Sequence, residues 1–162
     1  MSELSFREVV LQTDIDRVAT ILHNTTFFES EEEVVGTSLV REYLEKGDNC
    51  GYLFVFGEIG SQFVGYTCYG HIPGTLHGFD LHWLAVDPAM QGRGYGTALL
   101  QFTEDRIRAF GGQRVYVETS SIPLYGPTRE FYDHHGFSLE GRLADYYAPK
   151  DDKMLYVKRL LI

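Results

Sequence analysis

The chain has 162 residues, 44% hydrophobic and 14% aromatic, with 14 basic against 23 acidic side chains and a formal net charge of -9. That length fits a single domain of residues 1–162 able to bury roughly two thirds of the surface its unfolded form exposes, and the composition excludes a disordered or low-complexity chain. The acidic balance argues against a nucleic-acid partner, whose phosphates are gripped by Lys and Arg, and mildly favours cationic ligands.

The opening, MSELSFREVVLQTD, is charged and has no apolar core of an export signal, and no stretch approaches a membrane span. A cytoplasmic location with no membrane partner is expected. Residues 4–11 (LSFREVVL) predict a first strand. Thr13 and Asp16 form a capping-box pattern, followed by Ile15, Val18, Ala19 and Leu22 at helical spacing, so a helix is expected over 14–25. A second capping box, Ser30 to Glu33, opens a helix with Val35, Leu39 and Tyr43 on one side, closing near Gly47. From Gly51 the period changes to two. GYLFVFGE, an Ile59-Gly60 turn and SQFVGYTCYG read as an aromatic-rich hairpin, and residues 76–86 (LHGFDLHWLAV) add a third antiparallel strand. Cys50 and Cys68 lie far apart in no ligand spacing, so neither a disulfide framework nor a metal site is expected.

Asp87-Pro88 ends that strand, and a helix is expected over 94–110, with Leu99, Thr103, Ile107 and Phe110 on one face and Gly111-Gly112 as its stop. QRVYVET (113–119) returns parallel to the strand before the helix, since a strand, helix and strand on short loops make a right-handed crossover. A further helix over 125–134 ends at Gly136, and FSLEGRLADYY and DKMLYVKRLLI pair around Ala148-Pro149-Lys150-Asp151. The expected fold is α+β: a central mixed, mostly antiparallel sheet of six to seven strands with helices on both faces, in the order β-α-α-β-β-β-α-β-α-β-β.

The chemistry concentrates at Gln91-Gly92-Arg93-Gly94-Tyr95-Gly96-Thr97, which joins a strand to a helix N-terminus. Backbone N–H groups there can converge on an anion while the helix dipole adds a favourable field, and glycine permits close approach and positive φ. A phosphate-bearing ligand is implied. A P-loop is excluded because Gly96 is followed by Thr97 and Ala98, without the phosphate-gripping Lys. A dinucleotide fingerprint, to which Glu118 could supply the acidic residue, fails on the spacing of the third glycine and on the antiparallel hairpins upstream.

Gln91 to Gly96 resembles the Q/R-x-x-G-x-G/A acyl-CoA signature of the GNAT superfamily of N-acyltransferases, preceded here by a strand ending in AVDP, and Phe131-Tyr132-Asp133-His134-His135-Gly136-Phe137 resembles that superfamily's second hallmark, FYxxxGF. The resemblance spans about the last half of the chain. It implies acetyl-CoA as co-substrate, no metal, and direct acetyl transfer to a primary amine of a small molecule, amino acid or peptide within a ternary complex. The turn residues 91–97 would take the pyrophosphate, the backbone of Leu84, Ala85 and Val86 the pantetheine arm, and Thr128 a further cofactor contact. Tyr132 would stand beside the sulfur as general acid. Asp80 falls where some relatives place a catalytic glutamate, and His82, two residues on, shares its face of the strand; either could be the base. Tyr125 stands where relatives often carry asparagine, which puts the usual cofactor hydrogen bond there in doubt. Acceptor recognition in relatives implicates Phe27, Phe28, Glu29, Tyr146 and Tyr147. Two alternatives stay open: a non-catalytic acyl-CoA-binding module, and a transferase using a Cys68 acyl intermediate with His82 and Asp80. Pairing through a sheet edge into a homodimer also stays open.

Overall fold

The computed structural model describes residues 3–25 and 30–161, with Ser30 described by its backbone alone. The strands are β1 (Leu4–Arg7), β2 (Leu53–Ile59), β3 (Gln62–His71), β4 (Gly78–Val86), β5 (Arg114–Ser120), β6 (Ser138–Ala148) and β7 (Asp151–Arg159). The helices are α1 (Asp14–Asn24), α2 (Ser30–Lys46), α3 (Tyr95–Ala109) and α4 (Gly126–His134). All seven strands form one sheet in the order β1-β2-β3-β4-β5-β7-β6. Every neighbouring pair is antiparallel except β4 and β5, which run parallel because α3 carries the chain back between them.

Each face of the sheet buries its own cluster, as the period-2 strand pattern requires. On one face Leu99, Leu100 and Ile107 of α3 and Tyr132 of α4 pack on Val55, Tyr69, Phe79, Leu81, Val115 and Val117. On the other, Val18, Ile21 and Leu22 of α1 and Val40 of α2 pack on Phe54, Phe56, Tyr66, Cys68 and Ala85. The expected fold class and element order are both found.

Several local expectations are corrected. β1 stops at Arg7 rather than 11, because the Arg7 guanidinium turns to Asp14 (2.8 and 2.9 Å) and Glu58 (2.7 Å) and leaves Val9 exposed. Thr13 does not cap α1; its backbone is already helical, and the buried Asp14 carboxylate accepts the Leu11 N–H at 2.7 Å instead. On α2 the buried stripe turns by one residue, with Val40 buried and Val35 half exposed. Gly36 allows this, since a Cβ there would stand 2.4 Å from a Leu22 methyl, so the Leu22 side chain packs directly on the α2 backbone. Phe110 lies beyond the end of α3 and is exposed, stacked on Phe79 at 6.5 Å. β4 begins at Gly78, because the Thr75 hydroxyl binds Ile72 O (2.7 Å) and receives Gly78 N–H (3.2 Å) to close a turn, leaving Leu76 in solvent.

Candidate active site

Strands β4 and β5 pair over three rungs only, Gly78 with Arg114, Phe79 with Val115 and Asp80 with Tyr116. Beyond Asp80 they separate, β4 continuing against β3 to Val86 and β5 against β7 to Ser120. Backbone groups along the inner edges of residues 81–86 and 117–120 are thereby left without a sheet partner, an opening suited to an extended arm bearing amides. Leu84, Ala85 and Val86 lie along this opening.

At its far end the chain enters the glycine turn. Asp87 accepts the Ala89 N–H at 2.9 Å and starts a short 3₁₀ turn, Pro88–Met90, and the Gln91 side-chain amide donates to Val86 O at 3.3 Å, tying the turn to the strand end. Gly92 (φ +77) and Gly94 (φ +84) are left-handed, a conformation that L side chains rarely adopt, and Gly94 is the N-cap of α3. Among the described residues, chain neighbours aside, no atom lies within 4 Å of where a Cβ would stand on either, so the space there is open. Gly92, Arg93 and Gly94 are exposed and Tyr95, Gly96 and Thr97 half-buried. A helix N-terminus under an open cradle fits a diphosphate. The Thr97 hydroxyl is engaged sideways, 2.9 Å from His135 Nε2 at the end of α4.

Tyr132, on α4, shares its cluster with Leu81 and Val117, the first residues past the last rung of the opening. Its ring packs edge-on to Phe131 (5.4 Å) and Phe137 (5.1 Å). Burial pushes its phenol well above the ordinary range, and no hydrogen bond reaches its hydroxyl among the described residues, so the group stays protonated. Thr128 sits half-buried in the first turn of α4, and Tyr125 is that helix's N-cap residue.

On the opposite face, at the mouth of the opening, Asp80 and His82 come into electrostatic contact. They share a face as residues two apart on a strand do, and a bulge follows: Cys68 pairs with Trp83 and Tyr69 with Leu81, so His82 is an extra residue on β4 and Trp83 falls on the same face. Burial raises Asp80, with His82 and Lys153 pulling it down and Glu118 pushing it up. His82 is exposed by area, yet desolvation of its ring still lowers it, against the pull of Asp80 and Glu118. Tyr52 packs edge-on to His82 at 5.4 Å. Glu118, two residues past the last rung and on the Asp80 face, pairs with Lys153 at 3.0 Å, and Lys153 lies 4.4 Å over the Tyr146 ring. Tyr146 and Tyr147 are exposed and edge-to-face at 5.0 Å. Between Leu143 and Ala148 the β6–β7 register breaks, with Asp145 at φ 55, and the two tyrosines fall in this unpaired stretch.

Tyr146, Tyr147, Asp80 and His82 thus share one side of the opening, while Phe27, Phe28 and Glu29 fall outside the described residues. Glu118, Lys153 and Tyr52 were not singled out for the acceptor site; for Glu118 the alternation of QRVYVET was an available signal, while Tyr52 and Lys153 had none. Cys68 is fully buried in the α1/α2 cluster and burial pushes its thiol well up, so it offers no thiolate for an acyl intermediate. Among the described residues no cluster of three or more His, Cys, Asp or Glu could hold a metal, and no helix is long and apolar enough to cross a membrane.

Residues 15–137 match the profile of the acetyltransferase (GNAT) family. The chain belongs to that family. A crystal structure assigned to the GNAT acetyltransferases, from Desulfovibrio desulfuricans, is 41% identical, with a TM-score of 0.95 over 97% of this chain and 99% of that one. The PaiA N-acetyltransferase of Thermoplasma acidophilum, solved with coenzyme A, shares the fold at a TM-score of 0.74 and 16% identity, covering 98% of this chain and 99% of that one. A mycothiol acetyltransferase of Beutenbergia cavernae is 39% identical over 72 residues, which is 43% of this chain but 23% of the relative. Membership makes the chain an acyltransferase of the GNAT type.

Proposed function

We propose that this GNAT protein transfers an acetyl group from acetyl-CoA to a primary amine by direct attack in a ternary complex. The observation that carries the reading is the parting of β4 and β5 immediately after Asp80, in line with the open cradle of Gly92 and Gly94. When bound, acetyl-CoA supplies an acetyl group already activated as a thioester. The backbone of residues 84–86 holds the pantetheine arm, and the N–H groups of residues 92–97 hold the diphosphate.

An amine acceptor is largely ammonium at neutral pH, its pKa being near ~10, and must lose a proton before it attacks. Asp80, with His82 beside it, takes that proton on one face of the sheet. Tyr132, on the other, gives one to the departing sulfur. A cationic acceptor suits this mouth, where Asp80 and Glu118 supply negative charge and Tyr146 and Tyr147 present ring faces.

The test is a CoA-release screen over small amines, amino acids and peptides. Turnover with at least one acceptor is expected. Acetyl-CoA binding without CoA release to any acceptor would instead establish a binding module.

A further inference from the structure

Thr97 is the third residue of α3, within the turn assigned above to the diphosphate, and its Oγ lies 2.9 Å from Nε2 of His135. The other ring nitrogen, Nδ1, lies 2.6 Å from the carbonyl oxygen of Phe131. A carbonyl can only accept, so Nδ1 carries hydrogen in every protonation state that keeps this contact. In the neutral ring Nε2 is therefore bare and accepts the Thr97 hydroxyl hydrogen. In the imidazolium Nε2 donates, the Thr97 oxygen accepts, and the hydroxyl hydrogen is free to reach another acceptor.

The charges around this ring cancel in pairs. His135 lines a cavity of about 510 Å³ with His134, Glu104, Asp105 and Arg108 of α3, and Lys158 of β7. Lys158 pairs with Glu104 at 2.9 Å and Arg108 with Asp105 at 2.9 Å, while Arg93 of the turn lies against Met90 Sδ at 4.0 Å. With the two ion pairs closed on themselves, what is left to vary near His135 is its neighbour His134, the Arg93 guanidinium and the occupant of the turn. The ring is fixed there, tilted against Phe131 at 4.1 Å, and Phe131 in turn faces Gly96.

We infer that His135 is a positioning residue that couples diphosphate binding to proton uptake. An anionic diphosphate ester on the turn favours the imidazolium; one proton passes from solvent to Nε2, and the Thr97 hydroxyl hydrogen turns from the ring toward the phosphate oxygens. This rests on the turn being the diphosphate site.

The probe is acetyl-dephospho-CoA, which has neither a phosphomonoester nor a free thiol to titrate between about pH 5.5 and 7.5. Calorimetry across about pH 5.5–7.5 in two buffers of different ionisation enthalpy should show net uptake of a fraction of a proton by the wild-type chain, and affinity about three- to tenfold higher at the acid end of that range. His135→Gln should abolish the uptake and flatten the pH dependence. Thr97→Val should weaken binding but keep the uptake, and His134→Gln should keep both. Should His135→Gln fail to fold, nitrogen NMR of the wild-type ring decides, with the Nδ1–H tautomer in the free protein and a larger imidazolium fraction on saturation as the expected result. No uptake by the wild type, uptake surviving in His135→Gln, or the Nε2–H tautomer would overturn the coupling. Failure of the wild type to bind the probe would overturn the site assignment beneath it.

Discussion

Replacing Tyr132 with phenylalanine separates chemistry from stability in one substitution. The Tyr132 side chain is 5% exposed, and its upward shift has burial as its only cause. The ring is buried but its hydroxyl is not sealed off as an unsatisfied polar atom, so losing it should leave stability within about 1 kcal/mol, or roughly 3 °C in Tm for a chain of this size. The ring contacts with Phe131 and Phe137 survive unchanged. A proton donor to the leaving sulfur contributes about 10²–10⁴-fold, or about 3–5 kcal/mol of barrier, so kcat should fall by that factor with little change in KM for acetyl-CoA. Thermal denaturation of the free protein and a thiol-release assay with a competent amine measure the two effects. A kcat within about twofold of wild type would refute the donor role, and a Tm lowered by several degrees would show that the hydroxyl is held by a bond.

The two inner glycines of the turn should respond differently to alanine. Gly94→Ala puts a side chain at φ +84, costing about 1–2 kcal/mol, and should weaken CoA binding about tenfold in a titration. Gly96→Ala adds a methyl in ordinary contact with Phe131 (3.6 Å) and Val86 (3.7 Å), and should stay within about twofold. Asp80 and His82 titrate as a pair, one raised and one lowered, so the acid limb of kcat/KM should fall between about pH 4 and 6.5. Asp80→Asn should lower kcat/KM by about 10²-fold and move the residual limb to lower pH, since His82⁺ loses its counter-charge; limbs unmoved in both Asp80→Asn and His82→Gln would remove the pair from the base role. Burial pushes Asp14 upward, but its bonds to Arg7, the Leu11 N–H and Arg17 outweigh this and hold the carboxyl below its usual range. The folded pKa thus lies below the unfolded value of about 3.9, so this stabilisation is present above that pH and is lost as pH falls through the folded value. Asp14→Asn should cost about 2–4 kcal/mol in urea melts at neutral pH, with the difference from wild type shrinking toward pH 3.

The parts of the site legible in the sequence are those built from neighbours along the chain. The turn announced itself because left-handed glycines and a helix N-terminus are set within a few residues, and Gly92 and Gly94 adopt the conformations that glycine permits. Tyr132 was legible through its motif, and its burial follows from the spacing of Phe131, Tyr132 and Phe137 around the helix end. Where local signals misled, a distant residue had intervened. Thr13 looked like a helix cap until Arg7 and Asp14 met. Val35 looked buried until Gly36 let Leu22 approach.

By itself the sequence determined the element order, the mixed sheet and the glycine turn at the head of α3, since periodicity, glycine conformation and a strand–helix–strand crossover are local properties of the backbone. Only the tertiary structure decided where β4 parts from β5, that His82 is the extra residue of a bulge, that Glu118 and Lys153 pair at the same mouth as Asp80, and that Thr97 meets His135 from 38 residues away. Strand register and long-range side-chain encounters are set by the packing of two cores at once, and no window of the sequence contains both partners.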